Sequence, residues 1–150
     1  MARARAVAAA LLVGLLPLLS PVSEPRDLRT IERSDAPNDS LACPPGLCRA
    51  VAQVASPVLA VSADVLLARV RETLAREPRT ELVAEHGGLR QLVYVQRSAV
   101  IGFPDSIRVQ VVAVGEGSAA ILYSRSEYGH WDFGVNEARV QRWLALLGTE

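Results

Sequence analysis

The sequence predicts an α+β fold: a two-layer sandwich in which two helices cover one face of a four-stranded antiparallel meander sheet. Apolar residues recur at helical spacing in two segments, one on either side of a central region with strand-like patterning. Short turns that contain glycine join the four strand-like segments, so consecutive strands can pair with their neighbours. The chain has 150 residues, which is enough for one domain of ordinary size.

Residues 1–23 differ from the rest of the chain and predict a signal peptide or an N-terminal anchor. Arg3 and Arg5 precede an apolar stretch at residues 6–19, which only Pro17 interrupts. This stretch is shorter than the roughly 20 residues of a membrane-spanning helix and fits the about 7–15 of a signal peptide. We therefore expect an exported protein that contacts a membrane only through residues 6–19, if the leader is not cleaved. An organellar transit peptide is the alternative.

Composition excludes two classes of function. Sixteen arginines balance sixteen acidic residues, so the chain has no net charge to attract a nucleic acid. Two cysteines and two histidines supply at most four ligands, which is too few for a Cys/His framework of several zinc sites. We expect no metal, no cofactor and no nucleic-acid partner.

The region after the leader divides into an extended lead-in at residues 24–42 and a single α+β domain at residues 43–150. The lead-in is charged, contains proline and has no hydrophobic period. Cys43 and Cys48 enclose a Pro-Pro-Gly-Leu turn, and in an oxidising compartment we expect a disulfide between them. Their spacing is not the Cys-x-x-Cys of redox-active pairs.

The elements of the domain follow from capping residues, turns and periodicity. Ser62 predicts the start of the first helix, which should end before Pro78. Val109 and Arg108 illustrate the alternation of a strand with one apolar and one polar face. The predicted strands are Glu81–His86, Leu89–Arg97, Ser106–Val114 and Ser118–Arg125, and the last helix runs from about Asn136 to Leu147.

Polar residues cluster in the loop before the third strand and in the loop that leads to the last helix. In a meander these two loops lie at the same end of the sheet, so arginines and aspartates from both can converge. We expect this end to form a ligand-binding surface without catalytic residues. Its candidate residues are Arg97, Asp105, Ser124, Arg125, Ser126, Asp132, Asn136 and Arg139.

The same residues also fit a purely structural role. Asp132 can accept backbone amides at the start of the last helix, and Asn136 is a natural N-cap. Arg125 and Asp105 can form a partly buried ion pair that holds two loops together. In that case the chain is a purely structural module.

A cell-envelope hydrolase is a further alternative, with Ser126 or Ser124 as nucleophile and His130 as base. The sequence around both serines lacks the Gly-x-Ser-x-Gly of a nucleophile elbow. The presence of an enzyme activity therefore stays open, and a binding domain is favoured.

Several segments resemble one bacterial family. Tyr123-Ser124-Arg125-Ser126, then Asp132-Phe133-Gly134-Val135-Asn136 and Arg139-Val140, are similar to the C-terminal signature of the domain of unknown function 1499. Ala36-Pro37-Asn38-Asp39 resembles its Pro-Asn element, and Gln96-Arg97-Ser98 with Phe103-Pro104-Asp105 resembles its middle. The likeness covers roughly residues 33–147, and the Cys-Pro-Pro-Gly-Leu-Cys segment is similar to an exported subgroup.

The resemblance implies an α+β domain and a periplasmic location, with or without an uncleaved leader in the inner membrane. It assigns no catalytic residue. From the sequence we therefore expect an exported domain that binds an unknown small molecule or a cell-envelope protein.

Overall fold

A six-stranded mixed sheet forms the centre of the protein, with the strand order β2-β1-β6-β5-β4-β3. The structure is a computed structural model that describes residues 22–33 and 35–149. The predicted signal or anchor segment lies almost entirely outside these described residues. The strands are β1 Asp39–Cys43, β2 Val54–Ala55, β3 Thr80–His86, β4 Gln91–Arg97, β5 Pro104–Val114 and β6 Gly117–Ser126, and the helices are α1 Ala63–Leu74 and α2 Val135–Gly148.

The α+β class and the two predicted helices are confirmed, and the four predicted strands pair in the expected order as part of a larger mixed sheet. Strands β3 to β6 pair with their sequence neighbours, and a short 3₁₀ turn at Gly87–Leu89 joins β3 to β4. The Ser62 hydroxyl accepts the amide of Val65 at 3.3 Å and caps α1 as expected. Both helices pack on one face of the sheet, where Leu66, Val140 and Trp143 are among the core residues.

The expected sheet of four strands is wrong, because β1 and β2 extend it to six. Strand β1 pairs antiparallel with β6, and β2 pairs parallel with β1. Most of β1 falls in the segment that the sequence assigned to an extended lead-in. All five of its residues are buried, and their order, Asp-Ser-Leu-Ala-Cys, shows no alternation of apolar and polar positions that would have revealed a strand.

Residues 22–28 cover the face of the sheet that the helices leave free. Arg108 of β5 donates to the carbonyl oxygens of Val22 and Glu24, each at 2.6 Å. Gln91 exchanges hydrogen bonds with the backbone of Arg26, and the amide of Leu28 donates to Gln110 at 2.7 Å. The polar side chains of this face are thus buried by an irregular segment whose backbone they bind.

A second, smaller core lies beneath this segment. It contains Leu28 together with Leu41 of β1 and Ile121 of β6, and all three are buried. The predicted disulfide is confirmed: Cys43 and Cys48 are joined, with their Cα atoms 6.2 Å apart. It closes the loop at the end of β1 next to this core. In the described part of the chain, neither helix has the length and apolar character needed to cross a bilayer.

Gly117 is expected to tolerate no side chain. Two backbone hydrogen bonds of 2.8 and 3.0 Å join Leu59 to Ser118, so a Cβ on Gly117 would collide with the carbonyl oxygen of Leu59. We expect Gly117→Ala to lower the free energy of unfolding by about 1–3 kcal/mol in a urea titration. Gly88→Ala is the control, since a Cβ there meets nothing within 4 Å. Equal effects of the two substitutions would contradict this explanation.

Candidate functional site

One end of the sheet brings together the C-terminal ends of β4 and β6, the N-terminal end of β5 and the start of α2. Asp105 lies opposite Ser126 and Gln96 in the strand register, and Ser124 lies opposite Ile107, whose side chain is in the core under the helices. Side chains two residues apart on a strand share a face. These polar groups therefore point toward α2 and not toward solvent.

Arg139 of α2 is the centre of a buried hydrogen-bond network. Its guanidinium donates to Asp105 at 2.7 Å, to Gln96 at 2.5 Å, to Ser124 at 2.9 Å and to Asn136 at 2.7 Å. The Arg139 side chain is 7% exposed and the Asp105 side chain 11%. A buried ion pair with this many hydrogen bonds has its charges well satisfied, which compensates for their removal from water.

Asn136 extends the network to the chain that precedes β1. Its amide nitrogen donates to the Asn38 carbonyl oxygen at 3.0 Å, to Ser126 Oγ at 3.0 Å and to Asp132 at 2.8 Å. Its amide oxygen accepts from the Ser124 hydroxyl at 2.6 Å. The network therefore fixes β6, the loop before α2 and the Asn38 segment to one another.

Asp132 caps the start of α2, as the sequence predicts. Its carboxylate accepts from the amides of Gly134 at 2.9 Å and Asn136 at 3.1 Å. The prediction that Asn136 is the N-cap is wrong, because α2 begins at Val135 and the capping position is Gly134 with φ 80°. Asn136 is inside the first turn, where its side chain is buried.

Arg97 and Arg125 do not join the network. Arg97 is exposed and donates to the carbonyl oxygen of Gly102 at 3.3 Å. Arg125 is exposed on the opposite face of the sheet, since adjacent strand residues point to opposite sides. The expected ion pair between Arg125 and Asp105 is therefore wrong, and Arg139 is the partner of Asp105.

The serines and His130 are not arranged for nucleophilic catalysis. Ser124 is fully buried and Ser126 is 9% exposed, and both hydroxyls take part in the network around Asn136. The His130 ring is exposed and contacts Trp131 edge-on, with ring centroids 5.5 Å apart. Within residues 22–33 and 35–149, no hydrogen bond joins His130 to either serine and no group of three His, Cys, Asp or Glu side chains could hold a metal ion.

A cleft of about 570 Å³ opens beside the network, between the chain preceding β1 and the loop preceding α2. Of the eight predicted residues, Asp132 lines it. The full lining is Arg33, Asp35, Ala36, Pro37, Asp39, Gln53, Trp131, Asp132, Phe133, Gly134 and Glu137. We call this the aromatic cleft.

The wall of the aromatic cleft at the β1 side is held by Asp39. Its side chain is fully buried and pairs with the guanidinium of Arg33. It also accepts from the Tyr123 hydroxyl at 2.8 Å. Burial, together with this hydrogen bond to Asp39, raises the pKa of Tyr123, so the hydroxyl keeps its proton and stays a donor. The Asp39 carboxylate is thus occupied by two partners.

The opposite wall carries two aromatic rings in open positions. Trp131 is 64% exposed and Phe133 is 94% exposed. Phe133 also has φ 54°, in the left-handed region that favours glycine. Neither packing nor backbone preference explains an aromatic residue at this position.

Sequence reasoning missed the residues of the β1 wall. Arg33 and Asp35 lie in the segment assigned to the lead-in, and Gln53 lies between Cys48 and Ser62, where the sequence predicts no element. The pairing of β1 with β6 was not foreseen. The Ala36-Pro37-Asn38-Asp39 element was the available signal, since it carries part of the family resemblance and adjoins the cleft.

The family model described as "Protein of unknown function (DUF1499)" matches residues 26–147. The chain belongs to the DUF1499 family. The DUF1499 match includes the whole buried network, both walls of the aromatic cleft and all eight predicted site residues. It also begins within the segment that covers the outer face of the sheet, earlier than the resemblance at residues 33–147 indicated. No curated protein and no solved structure matches this chain.

Proposed function

We propose that this DUF1499 chain is an exported, non-enzymatic binding domain that takes its ligand in the aromatic cleft. Export is supported by Arg3 and Arg5 followed by the apolar residues 6–19, and by the disulfide, which is typical of oxidising compartments such as the periplasm. Among the described residues, neither Ser124 nor Ser126 forms a hydrogen bond with His130, and both hydroxyls are engaged in the buried network. This arrangement favours binding over hydrolysis.

The observation that carries the proposal is that Phe133 is an almost fully exposed aromatic residue with a positive φ. A bulky side chain at positive φ costs roughly 1–3 kcal/mol, and such costs persist where function requires them. At 94% exposure the ring gains almost nothing from packing. A ligand that covers Phe133 and the exposed part of Trp131 would bury ring surface that the protein itself leaves open.

The buried network supplies the rigidity that such a site needs. Asp105, Ser124, Ser126, Asn136 and Arg139 satisfy one another, so we assign them a positioning role. They fix the loop that carries both rings against the segment that forms the other wall. A prearranged cleft loses less conformational entropy when it binds a ligand.

Charge indicates the class of ligand. Four carboxylates and one guanidinium line the cleft, and that guanidinium is already paired with Asp39. Within residues 22–33 and 35–149, Asp35, Asp132 and Glu137 form no ion pair, and they lie beside two aromatic rings. Carboxylates and ring faces both attract an organic cation. We therefore propose a small molecule with an ammonium group as the ligand.

Calorimetric titration of the full chain with choline and with spermidine tests this proposal. We expect saturable binding of at least one of them. Phe133→Gly should weaken it about twofold to thirtyfold, since a cation–ring contact contributes roughly 0.5–2 kcal/mol. The same variant should unfold at the same or a higher urea concentration, because glycine relieves the positive φ.

Phe103→Ala is the matched control, because Phe103 is an exposed ring outside the cleft. It should leave the affinity unchanged. No saturable binding of either cation, or equal affinity of the wild type and Phe133→Gly, would contradict the proposal. The first result would favour a cell-envelope protein as partner or a purely structural module.

A further inference from the structure

The β4–β5 loop carries an exposed run of apolar residues. Ala99, Val100 and Ile101 are consecutive and exposed, with Val100 at 95%. Phe103 follows, and its ring lies 6.0 Å from that of Tyr128 in the loop before α2. Consecutive exposed apolar residues are unfavourable in a soluble surface unless they serve an interaction. We call Val100, Ile101, Phe103 and Tyr128 the apolar loop cluster.

The loop holds these side chains in a defined arrangement. The amide of Ser98 donates to the Phe103 carbonyl oxygen at 2.9 Å, and the amide of Phe103 donates to the Ser98 hydroxyl at 3.0 Å. Arg97 donates to the carbonyl oxygen of Gly102 at 3.3 Å. The loop is therefore closed at its base, and its apolar tip is presented outward.

The chain that leads to the apolar leader starts beside this cluster. Val22 lines a groove with Pro104, Glu127 and Tyr128, and its carbonyl oxygen accepts from Arg108. The apolar stretch at residues 6–19 ends three residues before Val22. Three residues span at most about 11 Å, even when fully extended. A membrane that contains the apolar stretch at residues 6–19 would therefore lie within reach of the apolar loop cluster.

Charge around the groove favours neither sign. Arg97 and Glu127 both line it, one of each charge. A surface of this kind has no electrostatic preference for anionic lipid and would enter a bilayer interface through its apolar and aromatic side chains. Tyr128 combines an apolar ring with a polar tip, which suits that depth.

We propose that the apolar loop cluster rests in the surface of the lipid bilayer that holds the uncleaved leader. The protein then contacts the membrane at two places, through residues 6–19 and through the β4–β5 loop with Tyr128. This proposal rests on different residues from the ligand proposal, so either can fail alone.

Quenching by brominated phosphatidylcholine tests the contact in the full chain, reconstituted in vesicles. Trp131→Phe removes the exposed natural tryptophan, and Val100→Trp places a reporter in the cluster. Glu116→Trp is the matched control: it lies at the exposed tip of the β5–β6 turn, at the other end of β5, a strand that spans roughly 33 Å.

We expect bromine in the acyl chains to reduce the emission of the Val100→Trp reporter at least about twofold and to leave the Glu116→Trp reporter unchanged. The effect should persist in high salt. Equal quenching of the two reporters would overturn the proposal. The proposal would also be overturned if, without lipid, the emission of the Val100→Trp reporter shifted to shorter wavelength as the protein concentration rose. That result would mean that the apolar loop cluster contacts a second copy of the chain. Ile101→Trp is the second reporter if Val100→Trp does not fold.

Discussion

Replacing Arg139 with Met is expected to lower the free energy of unfolding by about 3–5 kcal/mol. The substitution leaves the Asp105 carboxylate buried without its cation, and an unpaired buried charge is among the most costly defects in a protein. It also removes the donors to Gln96, Ser124 and Asn136. A urea titration followed by circular dichroism, with the disulfide intact, measures the loss.

Arg71→Met is the control for this experiment. Arg71 also lies on a helix and pairs with a carboxylate, Glu85, but both side chains are nearly half exposed. Exposed pairs of this kind contribute about 0–1 kcal/mol. Arg139→Lys should recover only a small part of the loss, because an ammonium cannot reach the same acceptors as a planar guanidinium. Equal losses in Arg71→Met and Arg139→Met would contradict the assigned role of the network.

Trp143→Ala is expected to cost about 3–5 kcal/mol, since it removes the largest fully buried side chain and leaves a cavity. The Trp143 ring meets Tyr94 edge-on with centroids 6.1 Å apart, and its Nε1–H donates to Glu77 at 2.9 Å. These contacts join α2 to β4 and to the end of α1. Urea titration by circular dichroism again gives the loss.

Trp131→Ala is the matched control, because that ring is mostly exposed, and its effect should stay within about 0.5 kcal/mol. Trp143→Phe keeps an aromatic ring in the core but removes the N–H group that donates to Glu77, so it measures the contribution of that hydrogen bond. Hydrogen bonds from Arg142 and from the Trp143 ring lower the pKa of Glu77 from its usual 4.5. Their stabilisation is therefore present above pH 4.5 and is lost as the pH falls through the lowered pKa. If Trp131→Ala lowered the free energy of unfolding as much as Trp143→Ala, the expectation that the buried ring contributes more than the exposed ring would be wrong.

Periodicity predicted the elements whose apolar residues recur at a regular spacing. The stripe of Leu66, Val70 and Leu74 identified α1, and alternation through Ile107, Val109 and Val111 identified β5. Strand β1 escaped detection because its five residues, Asp39–Cys43, do not alternate between apolar and polar positions. The polar residues Arg108 and Gln110 suggested a solvent-facing side, whereas the segment that precedes β1 covers them.

The candidate site was predicted in part for a similar reason. Meander topology brought Asp105 close to the loop entering α2, as expected, and the aspartate found its partner in Arg139. Arg125 was assigned to the wrong face, although the alternation along β6 contained the information: it lies between two serines that point toward α2. The β1 wall of the aromatic cleft depends on long-range pairing, which local patterns do not encode.

The way the sheet binds residues 22–28 limits how that stretch can vary. Arg108 and Gln91 recognise main-chain atoms of Val22, Glu24 and Arg26, groups that almost every amino acid supplies. The identity of these three residues is therefore weakly constrained, while their number is strongly constrained. Losing or gaining a single residue between Val22 and Leu28 would shift backbone carbonyls and amides away from their side-chain partners. The spacing of this segment is therefore more constrained than its amino-acid composition.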